Sequence, residues 1–110
     1  MREEFAGRML RIHFGEDDKW QGVPLAEAIL GRCRELGIAH AFVFRGIEGY
    51  GAGSRIRRSS FFSKDAPIQV SVIDTAEQVE RLLPFLDTAV EEGLVASSDV
   101  GAIRFTRRNE

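Results

Sequence analysis

Hydrophobic residues alternate with polar ones near the start of the chain and then recur every three or four residues. The alternation at 8–14 (RMLRIHF) is typical of a half-buried strand. The apolar stripe at 25–36 has the spacing of an amphipathic helix, begun by Pro24 and ended by Gly37. The first part of the chain therefore predicts a strand followed by a helix.

The rest of the chain repeats the two patterns in a different order. Apolar stretches at 40–45, 68–73 and 100–106 predict three more strands. A second stripe, over 79–90, predicts another helix, in which Pro84 should cause a bend rather than a break. We therefore expect the order β-α-β-β-α-β.

This order predicts one α+β domain, residues 1–110, with a ferredoxin-like fold. Right-handed crossovers place both helices on one face of a four-stranded antiparallel sheet and leave the other face open. The strand at 40–45 should lie at a sheet edge, although Ala41, Phe42, Val43 and Phe44 make it apolar on both faces. Such an edge needs a cover, and we expect another copy of the chain to provide it.

The connection at 46–65 (GIEGYGAGSRIRRSSFFSKD) is much longer than an ordinary hairpin loop, so it is the main candidate for function. Its glycines permit a close backbone approach to a ligand, and we expect residues 52–63 to be mobile, or differently placed in each subunit, when no ligand is bound. Residues 45–64 carry a local charge of +4 and leave −6 for the rest of the chain. Arginines beside flexible glycines suit a polyanionic small ligand or an acidic protein surface, because guanidinium groups bind phosphate and carboxylate through two bonds. The alternative is a solvated hairpin whose arginines only maintain solubility.

The end of the last predicted strand is also basic and could meet an anion from the side of this connection. The candidate ligand-binding residues are Arg45, Gly46, Gly49, Tyr50, Gly51, Arg55, Arg57, Arg58 and Arg104.

Composition and motifs exclude several other classes of protein. The chain has 110 residues, a net charge of −2 and one cysteine, Cys33, which rules out an internal disulfide. It has no Walker phosphate loop, no spacing that indicates a nucleophile and base, and no segment long enough to span a bilayer. We expect a cytoplasmic protein that is not an enzyme and needs no cofactor. The acidic turn at 16–18 gives only a weak metal signal. Trp20 beside it has one of two roles: a lid on the core, or an aromatic ring that packs at an interface or over a ligand.

Four segments carry a resemblance to a known family. They are GEDDKWQGVPLAEAIL at 15–30, FVFRGIEGYG at 42–51, APIQVSVID at 66–74 and EEGLV at 91–95, and RGIEGYG is the most specific run. On these segments the sequence resembles the DUF190 family, related to the PII-like signalling proteins, and the resemblance covers nearly the whole chain.

The resemblance implies a ferredoxin-like homotrimer in which 46–65 takes the place of the T-loop of PII proteins. In those proteins adenine nucleotides bind between subunits near the base of that loop, and the loop contacts partner proteins. One departure is that the connection at 93–99 has no lysine, where PII proteins carry a glycine- and lysine-containing phosphate loop. Phosphate contacts are then expected from Arg45, the loop arginines or the C-terminal arginines.

Two functions follow as hypotheses. The first is a regulatory module that binds an anionic metabolite, with an adenine nucleotide expected, and signals through 46–65. The alternative is an RNA-binding domain, because RNA-recognition motifs share this order of elements. The strand at 68–73 lacks the aromatic residues that such a domain uses, and the acidic pI of about 5.7 argues against nucleic acid as the partner.

Overall fold

A four-stranded antiparallel sheet lies at the centre of the computed structural model. The structure describes residues 1–108, so the last two residues of the predicted domain, 109–110, lie outside the described residues. In chain order the elements are β1 (Arg2–Gly15), β2 (Lys19–Trp20), β3 (Val23–Pro24), α1 (Leu25–Glu35), β4 (His40–Arg45), β5 (Glu48–Gly49), β6 (Arg57–Arg58), β7 (Pro67–Asp74), α2 (Ala76–Glu80), α3 (Leu83–Ala89) and β8 (Leu94–Phe105). The central strands follow the order β4-β7-β1-β8, while β2 pairs with β3 and β5 with β6. This is the ferredoxin-like α+β fold that the sequence predicted.

The helices pack on one face of the sheet and form the hydrophobic core with it. The alternate residues of β1 and β7 that point to this face are buried, and so are the apolar stripes of α1, α2 and α3. Trp20 closes one side of the core, where its ring meets Phe85 edge to face at 5.0 Å. Of the two roles predicted for Trp20, the structure supports the lid on the core.

The second predicted helix is divided in two, so the expectation of a bend without a break was wrong. Helix α2 ends at Glu80, and α3 begins at Leu83 with Pro84 in its first turn. Pro84 has no N–H to donate to the carbonyl of Glu80, four residues earlier, and its ring crowds that carbonyl. In the first turn of a new helix the missing N–H costs nothing, which explains why the chain restarts there.

The first and last strands of the chain, β1 and β8, are longer than their patterns predicted, and the expected connection at 93–99 is instead mostly strand. Strands β1 and β8 pair over twelve positions, from Arg2 opposite Phe105 to His13 opposite Leu94. Only 90–93 joins α3 to β8. The serines at 97 and 98 weaken the strand pattern in the sequence, but their backbone groups pair with β1, and this long-range pairing overrides the local signal.

Strand β4 lies at the edge of the sheet, as predicted, and its apolar side chains remain open to solvent. Phe42, Val43 and Phe44 are 51%, 42% and 53% exposed. By register Val43 stands beside Val70, on the helical side, whereas Phe42 and Phe44 stand beside Ser71 and Gln69, on the open face. The edge strand therefore presents apolar groups on both of its faces.

Candidate functional site

The connection at 46–65 folds into a small hairpin at the end of the sheet. Its strands β5 and β6 pair, and a 3-10 turn at Ala52–Ser54 lies between them. The Gly46 N–H donates to the Pro67 carbonyl at 2.7 Å, and the Ser59 N–H donates to the Ile47 carbonyl at 2.9 Å. A side chain at position 46 would press on the Pro67 ring, with a Cβ only 2.9 Å from its Cγ. The glycine at 46 thus allows the hairpin base to sit against β7.

Arg45 ties the hairpin base to the acidic turn that follows β1. Its Nε lies 2.9 Å and its Nη2 3.0 Å from the two carboxylate oxygens of Glu16. Arg45 also donates to the Ser59 hydroxyl and to the Ser60 carbonyl. These charge-assisted bonds lower the pKa of Glu16 and raise that of Arg45. The predicted anion-binding arginine therefore already holds a carboxylate of its own chain.

The other arginines of the connection are paired in the same way. Arg55 binds both oxygens of Asp65, at 2.7 and 3.2 Å, and lowers the pKa of that carboxyl. Arg57 donates to Asp17 at 2.8 Å and to Asp65 at 3.4 Å, while Arg58 pairs with Glu48. The basic connection is thus largely neutralised within the protomer, partly by acidic residues some forty positions earlier in the chain.

A cleft of about 880 Å³ opens between the hairpin and the connection from α3 to β8. Four predicted residues line it: Gly49, Tyr50, Gly51 and Arg57. The remaining lining comes from the end of β1 and the turn after it, from β2, the start of α1, the hairpin, β7 and the segment around 89–94. These residues are His13, Phe14, Gly15, Asp18, Lys19, Leu25, Glu48, Ala52, Pro67, Ile68, Ala89, Glu91, Glu92, Gly93 and Leu94. Asp18, Glu48 and the two glutamates outnumber the cations Lys19 and Arg57, so the lining carries a net negative charge.

Two glycines give the cleft its shape, and the sequence patterns indicated neither of them as a site residue. The Arg57 guanidinium lies directly on Gly15, where any side chain would displace it. A Cβ on Gly93 would lie 2.5 Å from the His13 carbonyl oxygen, because β8 begins its pairing with β1 at this point. In the sequence, only one observation pointed to these two glycines: they lie in segments that resemble the family, which contain GEDD and EEGLV.

The other predicted ligand residues lie outside this cleft. Arg45, Gly46, Arg55 and Arg58 belong to the hairpin and its base but not to the lining. Arg104 lies in a separate groove of about 350 Å³ on the open sheet face, lined mostly by apolar residues. There its Nε donates to His40 Nε2 at 3.0 Å, and its Nη1 donates to Glu3 at 2.8 Å. The nine candidate residues therefore lie in three places: the cleft, the hairpin with its base, and the groove on the open sheet face.

The remaining sequence candidates have structural partners. Asp18 accepts a hydrogen bond from the Gly15 N–H at 3.2 Å, so all three acidic residues of the turn at 16–18 bind groups of the protein. Within residues 1–108 no three His, Cys, Asp or Glu side chains converge as metal ligands. Cys33 is buried in α1, and burial raises the pKa of its thiol to about 11. No helix in this part of the chain has the length and apolarity needed to cross a membrane.

Comparison with known proteins agrees with this architecture. The chain is 35% identical to a UPF0166 protein of Aquifex aeolicus over 98 residues, which are 87% of this chain and 92% of that protein. It is 30% identical to a UPF0166 protein of Methanocaldococcus jannaschii over 94 residues, 84% of this chain and 87% of the relative.

Solved structures with the same fold include PII-like proteins. CPII of Thiomonas intermedia K12, bound to ADP and bicarbonate, superposes with a TM-score of 0.69 at 17% identity over 91% of each chain. A PII-like signaling protein of Thermus thermophilus gives a TM-score of 0.61 at 16% identity, over 93% of this chain and 92% of that one. The model of the DUF190 family, "Uncharacterized ACR", matches residues 7–102. The chain therefore belongs to the DUF190 family, and it has the fold of the PII-like proteins.

Proposed function

We propose that the protein is a regulatory module of the PII type, which binds an adenine nucleotide in the cleft beside the hairpin and signals through 46–65. The observation that carries the proposal is the cleft itself. Its volume of about 880 Å³ falls within the usual range of small-molecule sites, roughly 300–1,000 Å³. It lies at the base of the long connection, in the fold of proteins whose solved structures contain ADP, AMP or ATP. A regulatory rather than enzymatic role agrees with the names of these proteins, which include "nitrogen regulatory" and "signaling".

The lining suggests how a nucleotide would be held. Tyr50 is 72% exposed and offers an aromatic face to the adenine ring. The side chains of Lys19 and Arg57, with the backbone N–H groups of 50–51, are donors that the lining offers to a phosphate. Because Asp18, Glu48 and the glutamates at 91 and 92 oppose a polyanion, we expect micromolar affinity that weakens as salt is added.

We also propose that the working unit is a homotrimer. Phe42 and Phe44 on the open face of the sheet are 51% and 53% exposed in one protomer. Exposed apolar patches of this kind mark interaction surfaces. A trimer built on the open sheet faces would cover these side chains and bring the cleft of one subunit next to another subunit. As a sensor of adenine nucleotides, the protein would work in the cytoplasm.

Calorimetric titration with AMP, ADP and ATP tests the proposed ligand. Replacing Tyr50 by alanine should weaken binding roughly 5- to 150-fold, since stacking on a base contributes about 1–3 kcal/mol. The matched control is Phe62→Ala, which removes a fully exposed aromatic ring of the same connection outside the cleft lining and should change nothing. No heat with any nucleotide, or equal losses in both variants, would refute the site. Heat with an RNA oligonucleotide alone would favour the RNA-binding alternative.

A further inference from the structure

Arg57 occupies the boundary between the cleft and the ion pairs that surround the hairpin. Its side chain lines the cleft, yet its guanidinium donates to Asp17 at 2.8 Å and to Asp65 at 3.4 Å. The group also rests on Gly15, which keeps it against the end of β1. Arg57 is therefore a partly buried cation, 23% exposed, that faces carboxylates on one side and the cleft on the other.

The two carboxylates do not depend on Arg57 equally. Asp65 binds Arg55 through both of its oxygens and makes only a long contact with Arg57. Asp17 makes its ion pair with Arg57 alone among the described residues, and it stands outside the cleft lining. Asp17 is thus the main carboxylate that competes for Arg57 with a ligand in the cleft.

We infer that Arg57 is the residue that recognises phosphate in this cleft, and that Asp17 acts as its internal competitor, so that nucleotide binding requires an exchange of ion pairs. The inference rests on the proposed function. Lys19, the other cation of the lining, is exposed on the short strand β2, whereas Arg57 is fixed by packing. A planar guanidinium can present two N–H donors to one phosphate. A phosphate held in this way binds the guanidinium more strongly than a single exposed carboxylate does.

The exchange also links the cleft to the position of the hairpin. Arg57 belongs to β6, while Asp17 belongs to the turn after β1, so their ion pair joins the hairpin to that turn. A phosphate that takes over Arg57 removes this connection. Arg45, at the end of β4, would still bind both Glu16 of that turn and Ser59 of the hairpin. Occupation of the cleft would therefore change how 46–65 is held.

A double-mutant cycle with two ligands tests the inference. ADP and adenosine are titrated by calorimetry into wild type, Asp17→Asn, Arg57→Gln and the double variant. Asp17→Asn should tighten ADP binding about two- to fivefold, the range that an exposed ion pair spans. The gain should vanish in the Arg57→Gln background, and adenosine, which has no phosphate, should bind all four proteins alike. Asp99→Asn, which breaks the distant exposed pair with Arg8, is the control and should leave ADP affinity unchanged.

Each outcome has one meaning. A gain from Asp17→Asn that persists without Arg57 would show a general effect of charge and would overturn the inference. Unchanged ADP affinity in Asp17→Asn, or in Arg57→Gln, would overturn it as well. If neither ADP nor adenosine binds wild type, the proposed function fails. Whether the Asp17–Arg57 ion pair holds 46–65 in place is tested in that case by amide hydrogen exchange of the hairpin in the absence of nucleotide. Asp17→Asn should increase the exchange rate of the hairpin amides, and Asp99→Asn should not.

Discussion

Replacing Gly93 by alanine should destabilise the protein at the edge of the proposed cleft. The new Cβ would lie 2.5 Å from the His13 carbonyl oxygen and 3.2 Å from a methyl group of Val90. Both distances are shorter than ordinary van der Waals contact, and the nearer atom belongs to the backbone of β1, so it cannot turn aside. Overpacking of this kind costs about 1–3 kcal/mol. At roughly 4–8 °C per kcal/mol for a chain of this size, the melting temperature should fall by about 5–20 °C.

The same strand offers a matched control. Gly101 also lies on β8, but a Cβ there meets no atom within 4 Å. Gly101→Ala should leave the protein as stable as wild type or raise its stability by about 0.5–1 kcal/mol, because glycine weakens a strand. Calorimetric melts of the three proteins at one concentration give the comparison. Equal melting temperatures for Gly93→Ala and Gly101→Ala would refute the close approach of 90–93 to β1.

Four further predictions concern the core, the thiol, the ion pairs and the assembly. Ile29→Ala, at a fully buried position of α1, should cost about 2–5 kcal/mol in urea denaturation. Cys33, with its pKa raised to about 11, should react with a thiol reagent at pH 8 only after the protein is unfolded. The bond from Arg45 lowers the pKa of Glu16 in the folded state, so the stability that Glu16 contributes is fully present above its ordinary pKa, 4.5, and is lost as the pH falls through the lowered value. The melting-temperature difference between wild type and Glu16→Gln should therefore shrink steadily as the pH is lowered below 4.5. Sedimentation equilibrium should give about three times 12.3 kDa, and a monomer at micromolar concentration would contradict the proposed trimer.

The fold could be predicted because the apolar patterns are strong where elements are buried on one face. Strand β4 has the predicted bounds, and α1 ends one residue earlier than expected. The patterns fail where stability comes from distant pairing. Ser97 and Ser98 were predicted to lie in a connection, although they pair with β1. Pro84 signalled a disturbance of the second helix, but the sequence did not show that the chain would divide there into two helices.

The candidate site could be predicted only in part, for a similar reason. The length of 46–65 and its glycines identified the segment that forms one wall of the cleft. Periodicity could not show which carboxylate each arginine meets, since Glu16 and Arg45 are 29 positions apart and Asp17 and Arg57 are 40 apart. The opposing wall at 91–94 depends on how α3 leads into β8, and this also became visible only in the fold.

Amide chemical shifts recorded while ADP is added test the central claim most directly, because they show where the ligand binds as well as whether it binds. We expect saturable changes at 49–52 on the hairpin and at 93–94 on the opposite wall, with changes at Gly15 beneath Arg57. Changes confined to the groove between Phe5 and Phe42 on the open sheet face, or no changes at millimolar ADP, would contradict the proposed site.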